Sequence, residues 1–266
     1  MVVSSEAVIV RQDGHILLIT INRPDARNAI NLAVAIALGD ALEEADKNPE
    51  IRAVILTGAG DQAFCAGADL KALARGEKIT PDDEKRAAWG FAGVVSHPIS
   101  KPIIAAVNGS ALGGGTELTL AADLAVASET ATFGLPEVKR GILAAAGGAF
   151  RIGTQLPAKI AMELLLTGDA INAQRALALG LVNAVVPQAE LLDSAMALAA
   201  RIIVNAPLSV QASKRIARGI IQAGQPLEEF GWDLTRRESA AVRTSEDAKE
   251  GPRAFAEKRA PVWKAR

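Results

Sequence analysis

The chain of 266 residues contains no tyrosine, and aromatic residues make up only 3% of it. Stacking platforms for nucleic-acid bases are therefore not expected, and the core must be built from Ala, Val, Ile and Leu. The one cysteine, Cys65, excludes an intrachain disulfide. Only two histidines occur, His15 and His97, and neither has an acidic or cysteine partner at metal-ligand spacing, so no metal site is expected. No general-base histidine accompanies Cys65, which argues against a thiol nucleophile. Long apolar runs are missing too: Lys101 and Asn108 bound Pro102–Val107, and Asp123 interrupts the Ala-rich run that follows. The N-terminus lacks a basic segment leading into an apolar one, so no signal peptide is expected. A net charge of −1 supplies no field for a nucleic-acid backbone or an anionic membrane. These absences point to a soluble, cytoplasmic protein that binds neither nucleic acid nor membrane.

What is present suits one large globular domain, since 50% of the residues are hydrophobic. Ala7–Val10 and Ile16–Ile21 are β-branched runs flanking Asp13-Gly14, which predicts a hairpin. Helical apolar spacing over Leu32–Ala45 follows Asn31, a candidate N-cap. Buried strands are expected at Ala53–Leu56, Ile103–Val107 and Leu124–Ala127. Polar residues over Ala74–Glu84 predict a mobile loop before a helix around Lys85–Val95. A further helix is expected over about Thr116–Ala122. From about Ala158 the pattern is helical only: Ala158–Leu166, Ala173–Leu179, Leu191–Val204, Pro207–Ala223, Leu227–Ala241 and Asp247–Glu257. The order predicts an α/β core followed by an α-helical C-terminal subdomain.

Three short constellations carry chemistry. In Phe64-Cys65-Ala66-Gly67-Ala68-Asp69-Leu70-Lys71, small residues after a strand let backbone N–H groups approach a ligand. In Gly113-Gly114-Gly115-Thr116-Glu117, a glycine turn opens a helix whose first N–H groups and dipole stabilise negative charge. Glu117 lies three residues after Gly114, about one turn along the same face. In Phe133-Gly134-Leu135-Pro136-Glu137, the proline fixes Glu137 on a rigid loop or first turn. Each alone reads equally as ordinary structure: a capped turn, a helix packed closely on a strand, a surface helix start. The triplet is neither a P-loop nor a dinucleotide fingerprint, because no Gly-Lys-Ser/Thr and no GxGxxG spacing is present.

Taken together and in this order, the segments resemble the enoyl-CoA hydratase/isomerase (crotonase) family. Asn22-Arg23-Pro24, Asn28-Ala29-Ile30, Lys101–Gly109, Leu166-Thr167-Gly168 and Gly180–Asn183 extend the resemblance from about Val8 to Trp263. The resemblance implies an α/β fold, a crotonase-like ββα spiral over residues 1–200, and a helical trimerisation region over 201–266. It implies an acyl-CoA thioester as substrate, no cofactor beyond the CoA of that substrate, and a homotrimer or dimer of trimers. Its oxyanion hole falls on the N–H groups of Ala68 and Gly114. Its two catalytic glutamates match Glu117, implied to activate water, and Glu137, implied to protonate the α-carbon. Residues implied along the CoA path are Arg27, Ala29, Ala66, Gly67, Asp69, Leu70 and Lys71, with Phe255 and Lys258 reaching the CoA of a neighbouring subunit. Trp89 and Phe91 are candidates to line the acyl tunnel.

The expected activity is therefore addition of water across the 2,3 double bond of an enoyl-CoA. Two departures bear on the acyl group: residues 141–146 lack the usual proline, and Ala149-Phe150 stands where Thr-Gln is frequent. The stretch Leu135–Ile142 also resembles carnitinyl-CoA dehydratases, so a crotonobetainyl-CoA hydratase is an alternative, as is an enoyl-CoA isomerase. A catalytically silent thioester-binding or RNA-binding relative is the alternative of a different class. Both glutamates and the lack of a basic stripe oppose it.

Overall fold

The computed structural model describes residues 2–5, 7–221 and 224–266. Eleven strands among these residues are β1 (Val2–Ser5), β2 (Val8–Asp13), β3 (Ile16–Ile21), β4 (Ala53–Gly58), β5 (Ala63–Cys65), β6 (Ile103–Val107), β7 (Ser110–Leu112), β8 (Leu124–Ser128), β9 (Thr132–Gly134), β10 (Ile171–Asn172) and β11 (Ala184–Val186). The helices are α1 (Leu32–Lys47), α2 (Leu70–Ala74), α3 (Glu84–Ala88), α4 (Gly114–Ala121), α5 (Gly148–Gln155), α6 (Ala158–Thr167), α7 (Ala173–Ala178), α8 (Leu191–Ile203), α9 (Pro207–Arg218), α10 (Glu229–Thr244) and α11 (Glu246–Ala256).

The strands form a seven-stranded sheet in the order β1-β2-β3-β4-β6-β8-β11 and a four-stranded sheet in the order β10-β9-β7-β5. From β4 to β9 the chain alternates between them. β4, β6 and β8 lie parallel in the first sheet, and their successors β5, β7 and β9 lie parallel in the second. Each strand pair thus repeats the last, one strand spacing along, which is a ββα spiral.

Residues of period two explain why the large sheet is buried on both sides. Along β6, Ile103, Ala105 and Val107 enter one core, while Ile104 and Ala106 enter the other. The second core is closed by Leu191, Ala195 and Ala199 of α8, spaced four apart on one helical face. Ile104 is fully buried, and burial of a side chain of that size is worth about 1.5–3 kcal/mol.

Two buried asparagines hold the crossing between the sheets. Asn28 donates from Nδ2 to the carbonyls of Ala59 (2.9 Å) and Ala63 (2.7 Å). Asn108 donates to Gly60 O at 2.8 Å and accepts the Gly58 N–H at 3.0 Å. They satisfy backbone groups that leave one sheet before joining the other, and they fix the entry to β5, which leads on to Ala66–Lys71.

Several boundaries differ from expectation for physical reasons. Asp13 stays on its strand opposite Ile16, and Gly14 alone takes the left-handed turn conformation, at φ +54°. The expected helix over Lys85–Val95 stops after Ala88, because Gly90, Ala92 and Gly93 all adopt positive φ. The helix expected over Pro207–Ala223 ends at Arg218, where Gly219 forms a left-handed cap at φ +63°; residues 222–223 lie outside the described residues. The small sheet was not anticipated, since its strands are only two or three residues long. Among the described residues, no single helix is long and apolar enough to cross a membrane.

Candidate active site

The glycine triplet is a corner between β7 and α4. Gly113 takes φ +57°, which turns the chain, and α4 begins at Gly114. Its close packing requires glycine. A Cβ on Gly115 would lie 2.0 Å from the carbonyl oxygen of Cys65. A Cβ on Gly67, itself at φ +88°, would lie 3.2 Å from the Gly114 nitrogen. The Ala66–Lys71 segment is thus pressed against the start of α4, which sets the Gly114 N–H beside Gly67, the residue that precedes the Ala68 N–H. Neither N–H has a backbone acceptor among the described residues. The first turn of α4 also directs its dipole there.

Asp69 fixes the orientation of the first amide. Its Oδ1 accepts the N–H groups of Lys71 (3.1 Å) and Ala72 (3.0 Å), capping α2. Its Oδ2 accepts from Arg23 Nη2 at 2.8 Å, while Arg23 Nη1 donates to Ala29 O at 2.6 Å. The carboxylate of Asp69 is therefore occupied inside the protein; burial raises its pKa, but these bonds together outweigh burial and hold it below the usual carboxylate range. The same knot joins residues 27–30 to residues 66–69: Ala66 N–H donates to Arg27 O at 3.1 Å, and Ile30 N–H to Gly67 O at 2.8 Å. Arg27 at φ +52°, Ala66, Leu70 and Lys71 are exposed along this edge, and Ala29 is buried beneath it.

Glu117 is 3% exposed on α4. Its Oε1 accepts two backbone N–H groups, from Ala146 at 2.7 Å and Gly148 at 2.9 Å. Glu137 stands on a 3-10 turn, Pro136–Arg140, with its carboxyl against Gly113. A Cβ at Gly113 would meet Glu137 Oε1 at 2.9 Å. Glu137 Oε2 is buried and has no hydrogen-bond partner. Thr116 ties the two elements together: its Oγ1 donates to Ala111 O at 2.7 Å and accepts the Gly134 N–H at 2.9 Å.

Burial, with repulsion from Glu137, pushes the Glu117 carboxyl up to about 8 against the ordinary 4.5; the two amides and Arg151 oppose the rise. Burial pushes Glu137 up to about 7. Two such neighbours share protons over neutral pH, one acid and one base. The order of the two values alone would leave the proton on Glu117. The donors argue otherwise: Glu117 has two N–H groups prepared for a carboxylate, whereas charge on Glu137 would face a bare buried oxygen.

These shifts also have a stability consequence. Both folded values lie above 4.5, so as pH rises the unfolded chain releases protons first, and stability falls through the window from 4.5 to about 8. Glu137→Gln removes one of the two penalties. Its melting temperature should gain on the wild type more at a pH above both values than at a pH below 4.5. A difference independent of pH would contradict buried ionisation of Glu137.

Phe91 lies at this site: its ring stands 2.4 Å from where a Gly114 Cβ would be. Trp89 does not. It is buried, stacks on His97 with ring centroids 4.1 Å apart, and packs at Gly39 of α1. His97 is likewise structural, with Nε2 3.1 Å from Glu43. Burial pushes the Cys65 thiol up to about 12, which keeps it a thiol.

α11 packs on the turn that carries Glu137. A Cβ on Gly251 would lie 2.0 Å from Arg140 O, and one on Gly141 would lie 2.2 Å from Asp247 O. Phe255 sits under the Arg140 guanidinium at 4.0 Å, and exposed Lys258 follows at φ +53°. Within one chain, then, Phe255 and Lys258 lie beyond the Glu137 turn. Sequence reasoning missed this contact and the Ala146 and Gly148 amides. The glycine pair Gly147-Gly148 was the signal for the latter.

The chain matches the family model "Enoyl-CoA hydratase/isomerase" over residues 11–266. A carnitinyl-CoA dehydratase of Salmonella typhi is 46% identical over 267 residues, covering 98% of this chain and 100% of the relative. The crystal structure of a carnitinyl-CoA hydratase from Mycobacterium avium is 59% identical, with TM-score 0.95 over 99% of this chain and 100% of that one. An enoyl-CoA hydratase from Mycobacterium tuberculosis H37Rv is 47% identical, with TM-score 0.76 over 98% of this chain and 100% of that one.

Proposed function

The chain belongs to the enoyl-CoA hydratase/isomerase family, and we propose that it hydrates an enoyl-CoA thioester whose acyl group is polar, of the carnitinyl type. The observation that carries the hydration is the buried Glu117 carboxyl together with the Glu137 carboxyl, whose Oε2 is buried, at the Gly113-Gly114 corner. Addition of water to an α,β-unsaturated thioester builds negative charge on the carbonyl oxygen. The N–H groups of Ala68 and Gly114 receive that charge. Glu117, held by Ala146 and Gly148, orients water at the β-carbon and takes its proton. Glu137 delivers its proton to the α-carbon. The reverse sequence removes water from the hydroxyacyl thioester. No electrons are transferred, so the chemistry calls for no redox cofactor.

Isomerisation would use the same oxyanion hole but only relays a proton. Two carboxyls with opposite roles favour hydration. The polar acyl preference is supported by the carnitinyl-CoA names of relatives 46% and 59% identical to this chain. The CoA path is assigned to Arg27, Ala29, Ala66, Gly67, Leu70 and Lys71, of which Arg27, Ala66, Leu70 and Lys71 are exposed along one edge. Exposed Leu208, Ile216, Leu227 and Phe230 on the C-terminal helical region support a homotrimer or a dimer of trimers. The free thiol of Cys65 is in keeping with the cytoplasm.

The test compares crotonobetainyl-CoA with crotonoyl-CoA on purified wild-type protein. The proposal expects the larger kcat/KM for crotonobetainyl-CoA, by about tenfold or more, as a few contacts to one polar group can give. A larger value for crotonoyl-CoA would leave hydration standing and remove the polar preference.

A further inference from the structure

A buried arginine on α5 takes no part in the chemistry above, yet packs at Gly147, the residue between the two amides that hold Glu117. Arg151 is 3% exposed. Its Nε donates to Glu228 Oε1 at 2.9 Å, and its Nη2 donates to Glu228 Oε2. The same Nη2 donates to Val95 O at 2.6 Å, close after the turn that bears Phe91. Its third nitrogen, Nη1, is buried without a partner. That nitrogen stands 3.0 Å from where a Gly147 Cβ would be, with the Trp232 ring 3.1 Å from the same point. Gly147, at φ +100°, is the residue between Ala146 and Gly148, whose N–H groups bind Glu117. Arg151 N–H also donates to Gly147 O at 2.9 Å.

We propose that Arg151, anchored by Glu228, is a positioning residue that shapes the Ala146–Gly148 cradle and turns its charge toward the Glu117 carboxylate. The inference rests on the hydration reading. A planar fork suits the task, because two of its nitrogens lock onto one carboxylate while the third remains directed elsewhere. A buried charge with one unmatched N–H is costly unless nearby charge offsets it, and ionised Glu117 supplies that charge. Glu228 belongs to the 3-10 turn Pro226–Glu228 just before α10, so the ion pair also ties the C-terminal helices to the base. The ionisable groups that act on Glu117 are Glu137 from its 3-10 turn and Arg151 from α5, with the neutral Cys65 thiol of β5 beside it.

The test uses the full chain carrying Arg151→Gln, Arg151→Lys or Glu228→Gln. Two readouts are taken: kcat and KM across pH, and the titration of isotope-labelled glutamate carboxyls by NMR, with Glu117→Gln identifying the Glu117 signal. Arg151→Gln should lower kcat by about 10–100-fold, the effect of slight misplacement of a catalytic group, and leave KM nearly unchanged. Loss of the cation should raise the Glu117 titration, so the acid limb of kcat moves to higher pH. Arg151→Lys should restore that limb but only part of kcat, since it keeps the charge without the fork. Glu228→Gln should lower kcat with a smaller change in titration, and it serves if Arg151→Gln fails to fold. Folded variants with wild-type kcat, acid limb and Glu117 titration would overturn the proposal. An inactive wild type would count against hydration instead, and the NMR titration would still decide the role of Arg151.

Discussion

Glu137→Gln should lower kcat for hydration by about 10²–10⁴-fold, the usual contribution of a general acid or base, with KM for the thioester little changed. The amide keeps the shape and the contact with Gly113 but has no proton of suitable acidity for the α-carbon. Glu117→Gln should fall by a similar factor for a different reason. Its side-chain oxygen can still accept from Ala146 and Gly148, so water is still oriented, but its proton has no acceptor. Steady-state kinetics of both variants, with thioester binding measured separately, checks the division. Because the two act on one transition state, the double variant should lose far less than the product of the two losses. Unchanged kcat in either single variant would remove that glutamate from the mechanism.

Gly67→Ala should cost about 10²–10³-fold in kcat, comparable to loss of one oxyanion donor, although it alters neither glutamate. Two effects combine. Gly67 sits at φ +88°, and its Cβ would lie 3.2 Å from both Gly114 N and Leu112 O. Both contacts are backbone, so neither can yield by a rotamer change. The Ala66–Lys71 segment must then move off the start of α4, which separates the Ala68 and Gly114 amides. Alanine at this positive φ also costs stability, so kcat is compared on the folded variant, where a drop with thioester binding retained would place the effect in the hole. Wild-type kcat would show that the two amides need not be held at this spacing.

Much of this site was legible in the sequence because its parts are local. The glycine triplet, Glu117 one turn later and Pro136 before Glu137 each fix geometry over four or five residues. Asn31 capped α1 as expected, its side chain accepting the Val34 N–H at 3.0 Å. What was not legible depends on contacts between distant segments. The partners of Glu117 lie 29 and 31 residues further along the chain, and the ion pair of Arg151 spans 77 residues. Asp69 read as a ligand contact, but Arg23, 46 residues away, engages it internally. Trp89 read as a candidate tunnel residue because aromatic character does not reveal direction. Positive φ at Gly90, Ala92 and Gly93 breaks the expected helix there and turns Phe91, not Trp89, toward Gly114. The short strands of the second sheet carry too few residues for a period to emerge.

Hydration of an enoyl thioester by the Glu117 and Glu137 carboxyls at the Gly113-Gly114 corner underlies every variant above. Its most direct test follows the conjugated enoyl-thioester absorbance of crotonoyl-CoA and crotonobetainyl-CoA with purified wild-type protein. Loss of the band on at least one substrate, with the hydroxyacyl thioester as product, is the predicted result. Tight thioester binding with no loss of the band on either substrate would contradict it.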